Sequence, residues 1–255
     1  MNKSGTPSSP YYQFGLLSKE EGLLHFVSSG EQGNCSNLSF VDPDALRNRR
    51  SLAEAVGFEI GQLTVGEQTH STHVAIVRSE ERGRGGCDNL SRIPDTDALV
   101  TAEKGVCLMV LTADCVPVLL YDPVCRVVAA VHAGWKGTVG KIVIRALDVM
   151  KKEWGCRPEN VLAAIGPSIG KCCFEVGEEV TTRFEEQGFS AAVSRKGNSL
   201  HVDLWEVNKM QLLSEGVSGS HIELARVCTK CTVPSFFSYR GGDTDFRFGT
   251  GIMLK

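Results

Sequence analysis

The sequence predicts an α+β fold, a single domain of mixed β-sheets flanked by helices. Three short apolar runs, at 106–111, 116–121 and 127–131, are bounded by polar or turn residues, as buried strands are. Segments with helical spacing follow at 138–155, 178–187 and 204–215. Strands and helices do not alternate strictly, which separates this pattern from an α/β array.

The segment Met1 to Pro10 is polar and rich in Ser, Gly and Pro. It lacks an apolar stretch, so it reads as a disordered tail, bounded at residues 1–12, and not as a secretory signal. Residues 13–255 form the expected single catalytic domain. Asp42 followed by Pro43 marks a helix start, with Gly57 stopping the helix after Val56. Its basic cluster, Arg47, Arg49 and Arg50, reads as a solvated face. Leu63 to Glu67 is a short strand leading to Gln68-Thr69-His70. Asp122-Pro123 turns the second apolar run into the third. Thr138 opens a helix on Val139, Ile142, Val143, Ala146, Leu147 and Met150, and Gly155 closes it. A strand is expected at Val161 to Ile165 and a helix at Glu178 to Gln187. Asp203 caps a further helix from Leu204 to Glu215, ended by Gly216. Phe236 to Tyr239 and Gly251 to Leu254 read as the last strands.

Composition narrows the function classes. The 255 residues are 42% hydrophobic and 22% charged, the balance of a globular protein. A net charge of −3 gives no overall pull toward nucleic acid. No window reaches the ~20 consecutive apolar residues that span a bilayer. The ten cysteines, with no export signal, are expected to stay reduced in the cytoplasm. Cys107 and Cys125 read as core residues. Cys228 and Cys231 form a CxxC with no second CxxC in the chain, which favours a thiol pair near a loop over a metal knuckle.

Polar residues interrupt strand ends in three places: Gln68 to His73, Thr112 to Cys115 and Val131 to Thr138. Loops after strands are where scaffolds place chemistry. His70, Cys115 and His132 together make a competent zinc set with an open fourth position for water or substrate. The same residue types serve a Cys–His nucleophilic dyad, in which Cys115 uses one imidazole only. His73 would face away from His70 on an extended segment, so it is not taken as a ligand. Asp114 is a candidate to orient backbone or to move a proton to substrate. Asp95 and Asp97 read first as turn formers. The strand-to-helix step at Gly134 to Thr138 offers backbone N–H groups and Lys136 to an anion, with Trp135 a packing residue or a stacking platform for a base.

These residues carry a resemblance. QTHST (68–72), TDALVT (96–101), TADCVPVLLYDP (112–123) and AAVHAGWKGT (129–138) resemble the bacterial polyphenol oxidase, or laccase-domain, family, described as multifunctional purine nucleoside phosphorylases. IGPSIGKCCFEVGEEV (165–180), VDLWEVNKMQL (202–212), CTKC (228–231) and FFSYR (236–240) extend it across the chain. The resemblance implies a fold similar to the catalytic domain of cytotoxic necrotizing factors and zinc held by His70, Cys115 and His132. It implies phosphorolysis of adenosine, inosine or methylthioadenosine, and hydrolytic deamination of adenosine. The implied partners are purine nucleosides and phosphate; neither nucleic acid, membrane nor protein partner is implied. Cys115, His132 and Asp114 are then the catalytic candidates, and Lys136, Arg47, Arg50 and Trp135 the substrate and phosphate candidates. The older family name implies copper and phenol oxidation. A multicopper oxidase uses roughly ten His ligands and a Cys; this chain has six His in all. The Glu of H-x-E deaminases is absent, and Asp114 is its candidate substitute. The family sequence FFSYRRDGGKTGR is replaced here by residues 236–247, without the doubled Arg, which bears on substrate preference if that loop lines the pocket.

Overall fold

The structure is a computed structural model that describes residues 1–6, 9–36 and 44–255. Two six-stranded mixed sheets lie face to face. The first runs, in spatial order, Asn2–Thr6 (β1), Ser9–Gln13 (β2), Leu23–Ser28 (β3), Phe248–Leu254 (β15), Cys107–Thr112 (β7) and Leu63–Val65 (β4). The second runs Ile222–Leu224 (β14), Leu162–Ile165 (β10), Val116–Asp122 (β8), Val127–Ala133 (β9), Ala98–Thr101 (β6) and Val74–Ile76 (β5). A small antiparallel sheet joins Glu175–Val176 (β11), Ser199–Val202 (β13) and Val193–Lys196 (β12). The helices are Ala45–Val56 (α1), Trp135–Val139 (α2), Ile142–Trp154 (α3), Glu178–Glu186 (α4) and Leu204–Ser214 (α5). The α+β fold with mixed sheets is as the sequence indicates.

The apolar runs are continuous because both faces of their strands are covered. On β7, Leu108 and Val110 meet Leu119, Val128 and Ala130 of the second sheet. The alternate residues Cys107, Met109 and Leu111 meet Leu52 and Ala53 of α1. On β9, Val127, Ala129 and Val131 face Val143, Ala146 and Met150 of α3. The layers are therefore helix, sheet, sheet, helix. No helix among the described residues is long and apolar enough to cross a membrane.

Several expectations need correction. The described residues of the expected disordered tail are strands: β1 pairs antiparallel with β2, with Asn2 opposite Gln13. Strand pairing rests on main-chain bonds that a polar composition does not reveal, and Tyr11 is buried with Leu24, Phe26 and Met109. Arg49 is not on a solvated face. It is fully buried, and its guanidinium donates to the carbonyls of Cys35, Ser36, Gly85 and Gly86. The helix start at Asp42-Pro43 lies outside the described residues; the C-terminal stop at Gly57, at φ 93°, is as expected. The helix assigned to Thr138 onward breaks in two, because Lys141 takes a left-handed φ of 62° between α2 and α3. Phe236 to Tyr239 is not a strand; a 3-10 turn, Tyr239–Gly241, follows it.

Candidate metal centre and its cavity

The register of the second sheet assembles the site. Val116 lies opposite Ala133 and Pro117 opposite His132. The residues just beyond these pairs, Cys115 and Gly134, therefore meet at one end of the β8–β9 ladder. On the other flank of β9, Ala98 lies opposite Val131, which sets Asp97 beside His132. Gln68 arrives from the first sheet, where its side-chain amide exchanges two 2.8 Å hydrogen bonds with the backbone of Leu111 at the end of β7. That contact pins the loop carrying His70.

His70, Cys115 and His132 converge, with their donor atoms all within 4.8 Å of one another. Cys115 Sγ lies 3.7 Å from His70 Nε2, and the two imidazole rings are 5.0 Å apart edge to face. His132 is buried, Cys115 half-buried and His70 exposed. His73 turns away, its Nδ1 2.6 Å from the Asp95 carbonyl oxygen.

Asp97 organises this cluster. Its carboxylate accepts from His132 Nδ1 at 2.7 Å, which leaves Nε2 for the site. It also accepts the backbone N–H groups of Thr69, His70 and Ser71 at 3.2, 3.1 and 2.8 Å. Those bonds hold His70 at a left-handed φ of 60°, a conformation that costs energy in a non-glycine residue. Burial alone would raise the Asp97 pKa, but the bonds from His132 and Ser71 outweigh it and hold the group at about 2. Burial likewise opposes charge on Cys115 and His132, yet each stabilises the other's charged form. The Cys115 thiol is drawn down to about 6 by His132 and His70, and His132 is raised to about 9 by Cys115 and Asp97. The cluster alone is thus a thiolate beside an imidazolium near neutral pH.

The donor set fits a metal ion. Two imidazoles and a thiolate are zinc ligands, and Gly134 keeps the space between them open. A Cβ at Gly134 would lie 3.0 Å from His70 Cδ2 and 3.1 Å from Cys115 Sγ. His132, held by Asp97 at its other ring nitrogen, has the arrangement usual for a ligating histidine.

The cluster sits in a cavity of about 690 Å³, in the range that accepts small ligands. Trp135 and Phe174 line it, as do Arg92, Arg240 and Arg247. Lys136, Arg47 and Arg50 do not line it. Lys136 sits over the Trp135 ring at 5.9 Å, and Arg47 pairs with Asp44 at 2.9 Å on the surface. The anion site expected at a helix start is also reduced, because α2 has five residues and its dipole is small. Asp114 borders the cavity, at a φ of 87°, with both carboxylate oxygens engaged. Thr229 Oγ1 donates to one at 2.6 Å and the Arg240 backbone N–H to the other at 2.7 Å. The loop that departs from the family pattern does line the cavity, through Tyr239, Arg240, Thr244, Asp245 and Arg247.

The sequence suggested a turn former at Asp97 and an anion-binding backbone at Gly134, and gave no role to Phe174 or Arg92. Asp97 lies within TDALVT (96–101), but only the β6–β9 register reveals its partner. Asp95 does suit a turn, at a φ of 42°.

Fold and site together define a class: an α+β protein with a His₂Cys group, able to hold a metal ion, at the mouth of a sheet ladder. The family described as multi-copper polyphenol oxidoreductase laccase matches residues 28–255, and the chain belongs to it. A purine nucleoside phosphorylase of Bacteroides thetaiotaomicron is 38% identical over 253 residues, covering 93% of this chain and 94% of that protein. Adenosine deaminase RL5, from an unknown prokaryotic organism, is 36% identical over 224 residues, covering 85% of each. Among solved structures, the Bacillus licheniformis hypothetical protein YfiH superposes with a TM-score of 0.88 at 26% identity, over 98% of this chain and 97% of that one.

Proposed function

We propose that this chain is a zinc-dependent purine nucleoside phosphorylase acting on adenosine, inosine and methylthioadenosine, and that it also deaminates adenosine. The observation that carries the reading is the convergence of His70, Cys115 and His132 within 4.8 Å at a cavity lined by three arginines. Relatives named for both activities support it. His70, Cys115 and His132 would hold the ion, which supplies Lewis-acid stabilisation of developing negative charge.

The chain's own residues do the rest. Trp135 and Phe174 supply aromatic surface to the cavity that would hold a purine. Arg92, Arg240 and Arg247 supply the positive charge for phosphate, in place of Lys136, Arg47 and Arg50. Arg92 borders the cavity, and its Nε is buried without a hydrogen-bond partner among the described residues. Asp114, engaged at both oxygens, holds the cavity wall by fixing Thr229 and Arg240. In phosphorolysis a phosphate oxygen bonds to the ribose C1′ as the bond from C1′ to the purine nitrogen breaks. The electron pair leaves with the purine, which takes up a proton. Metal-quantified protein given adenosine and phosphate is expected to yield adenine and ribose 1-phosphate. Zinc-loaded protein that makes neither these nor inosine would overturn the reading.

One observation favours a second reading. The thiolate–imidazolium pair of Cys115 and His132 is what a zinc-free cysteine hydrolase or transferase uses. That enzyme would keep its activity in chelator and lose it to thiol alkylation; a phosphorylase of the first kind loses it to both. Copper-dependent phenol oxidation, carried by the family description, asks for more histidines than the six present.

A further inference from the structure

The chain's lone CxxC finds a second pair of thiols in three dimensions. Cys172 and Cys173, on the loop after β10, meet Cys228 and Cys231, on the loop after β14, with all four sulfurs within 4.8 Å of one another. Cys231 Sγ lies 3.7 Å from Cys172 Sγ and 3.4 Å from Cys173 Sγ. A zinc ion ~2.3 Å from each of four sulfurs sets those sulfurs ~3.8 Å apart at tetrahedral geometry. The two spacings at Cys231 lie close to that value, and every other pair lies within 4.8 Å.

The backbone is arranged for sulfur as well. Neighbouring residues on a strand point apart, but Cys172 and Cys173 lie in a turn. There the N–H groups of Cys173 and Phe174 both bond the Gly170 carbonyl at 2.9 Å. The turn brings both side chains to one side. The Gly170 N–H donates to Cys228 Sγ at 3.3 Å, and the Cys231 backbone N–H bonds the same sulfur. Donors aimed at sulfur favour the thiolate that a metal binds.

We propose that Cys172, Cys173, Cys228 and Cys231 form a second metal site, a structural clip for a zinc ion, separate from the His70–Cys115–His132 cluster. Binding forms four metal–sulfur bonds and releases the thiol protons to solvent. The clip joins two loops distant in sequence, both of which hold the cavity wall. Ile169 donates its backbone N–H to the Asp114 carbonyl at 2.9 Å, and Thr229 bonds the Asp114 carboxylate. Phe174, one residue beyond Cys173, faces the cavity. The ion thus holds Asp114 and Phe174 in place without touching substrate.

The test is metal content and thiol protection in protein purified with reductant, and its outcome does not depend on any nucleoside assay. Cys115→Ser protein is expected to keep about one zinc per chain, and Cys115→Ser/Cys231→Ser protein none. Should the double variant fail to fold, wild-type protein carries the test. Iodoacetamide is expected to spare Cys172, Cys173, Cys228 and Cys231 until a chelator is added, and to label them afterwards. Cobalt(II) in place of zinc on the Cys115→Ser background should give the thiolate-to-metal absorption of a tetrahedral sulfur site. No zinc on Cys115→Ser protein, with all four thiols alkylated at the same rate with and without chelator, overturns the proposal. So does a Cys173–Cys231 disulfide in the protein as purified.

Discussion

Asp97 Oδ1 lies 2.7 Å from His132 Nδ1, and the same carboxylate accepts the N–H groups of Thr69, His70 and Ser71. One buried carboxylate therefore orients two members of the ligand set, one through its ring and one through its backbone. Asp97→Asn keeps the size but has only one acceptor oxygen, and its amide donates where His132 also donates. Metal affinity at the His70–Cys115–His132 cluster is expected to fall ~10- to 100-fold, as when the outer partner of a metal-bound histidine is lost. Competition against a calibrated chelator on a Cys231→Ser background reads that site alone. Unchanged affinity in folded Asp97→Asn protein would refute the orienting role.

Gly134 is required for space and not for backbone freedom. Its φ of −61° and ψ of 169° are open to alanine. Gly134→Ala should therefore leave stability within about 1 kcal/mol of the parent, since the change also lowers the entropy of the unfolded chain. The added Cβ would still meet His70 and Cys115 at 3.0 and 3.1 Å. The melting of metal-free protein should be nearly unmoved while metal loading at the cluster is lost. A variant that binds metal as tightly as the parent would show that the three side chains have room to withdraw.

The layers were legible in the sequence because β7, β8 and β9 are buried on both faces and must be apolar throughout. The meeting of His70, Cys115 and His132 was foreshadowed because polar residues at strand ends stand out against such runs. What could not be read depends on pairing. β1 and β2 join the first sheet through main-chain bonds, to which Ser, Gly and Pro content is blind. Arg49 looks solvated in sequence and is buried because four carbonyls surround it. Asp97 and Arg92 gain their partners only from the register of the sheet and the closure of a loop. Cys172-Cys173 and the CxxC at 228–231 sit on loops after different strands, and neither sequence alone implies the other.

The arginines of the cavity separate phosphate binding from nucleoside binding. Arg240 donates from Nη1 to the Glu175 carbonyl at 3.0 Å and lies over the Phe174 ring at 5.5 Å, which leaves other donors of its fork for an anion. A hydrogen bond to a charged group is worth about 1.5–3 kcal/mol, or roughly 10- to 100-fold in affinity. Arg240→Ala should raise the KM for phosphate by about that factor, with a smaller change for adenosine. Lys136→Ala, outside the cavity, should change the phosphate KM less than about twofold. Equal effects of the two substitutions would return the anion to Lys136.

Far from the cavity, His25 on β3 sets an acid limit to stability. It is fully buried, and its Nε2 accepts the Phe14 N–H at 2.8 Å, a bond that protonation would break. Burial holds its pKa down to about 4 in spite of Glu223, which favours the charged form. The unfolded chain titrates near the ordinary value of ~6.5, so above that pH neither state carries the proton and His25 has no effect. As pH falls from 6.5 toward 4 the unfolded state takes up a proton that the folded state refuses. Stability drops over that window by up to about 3 kcal/mol and levels off below it. His25→Gln keeps an acceptor for Phe14 and has no titration. Chemical denaturation of both proteins between pH 4 and 8 should show the gap between them closing in favour of the variant as pH falls. Parallel curves across the range would mean that His25 titrates in the fold as it does in the unfolded chain, and would refute the acid limit.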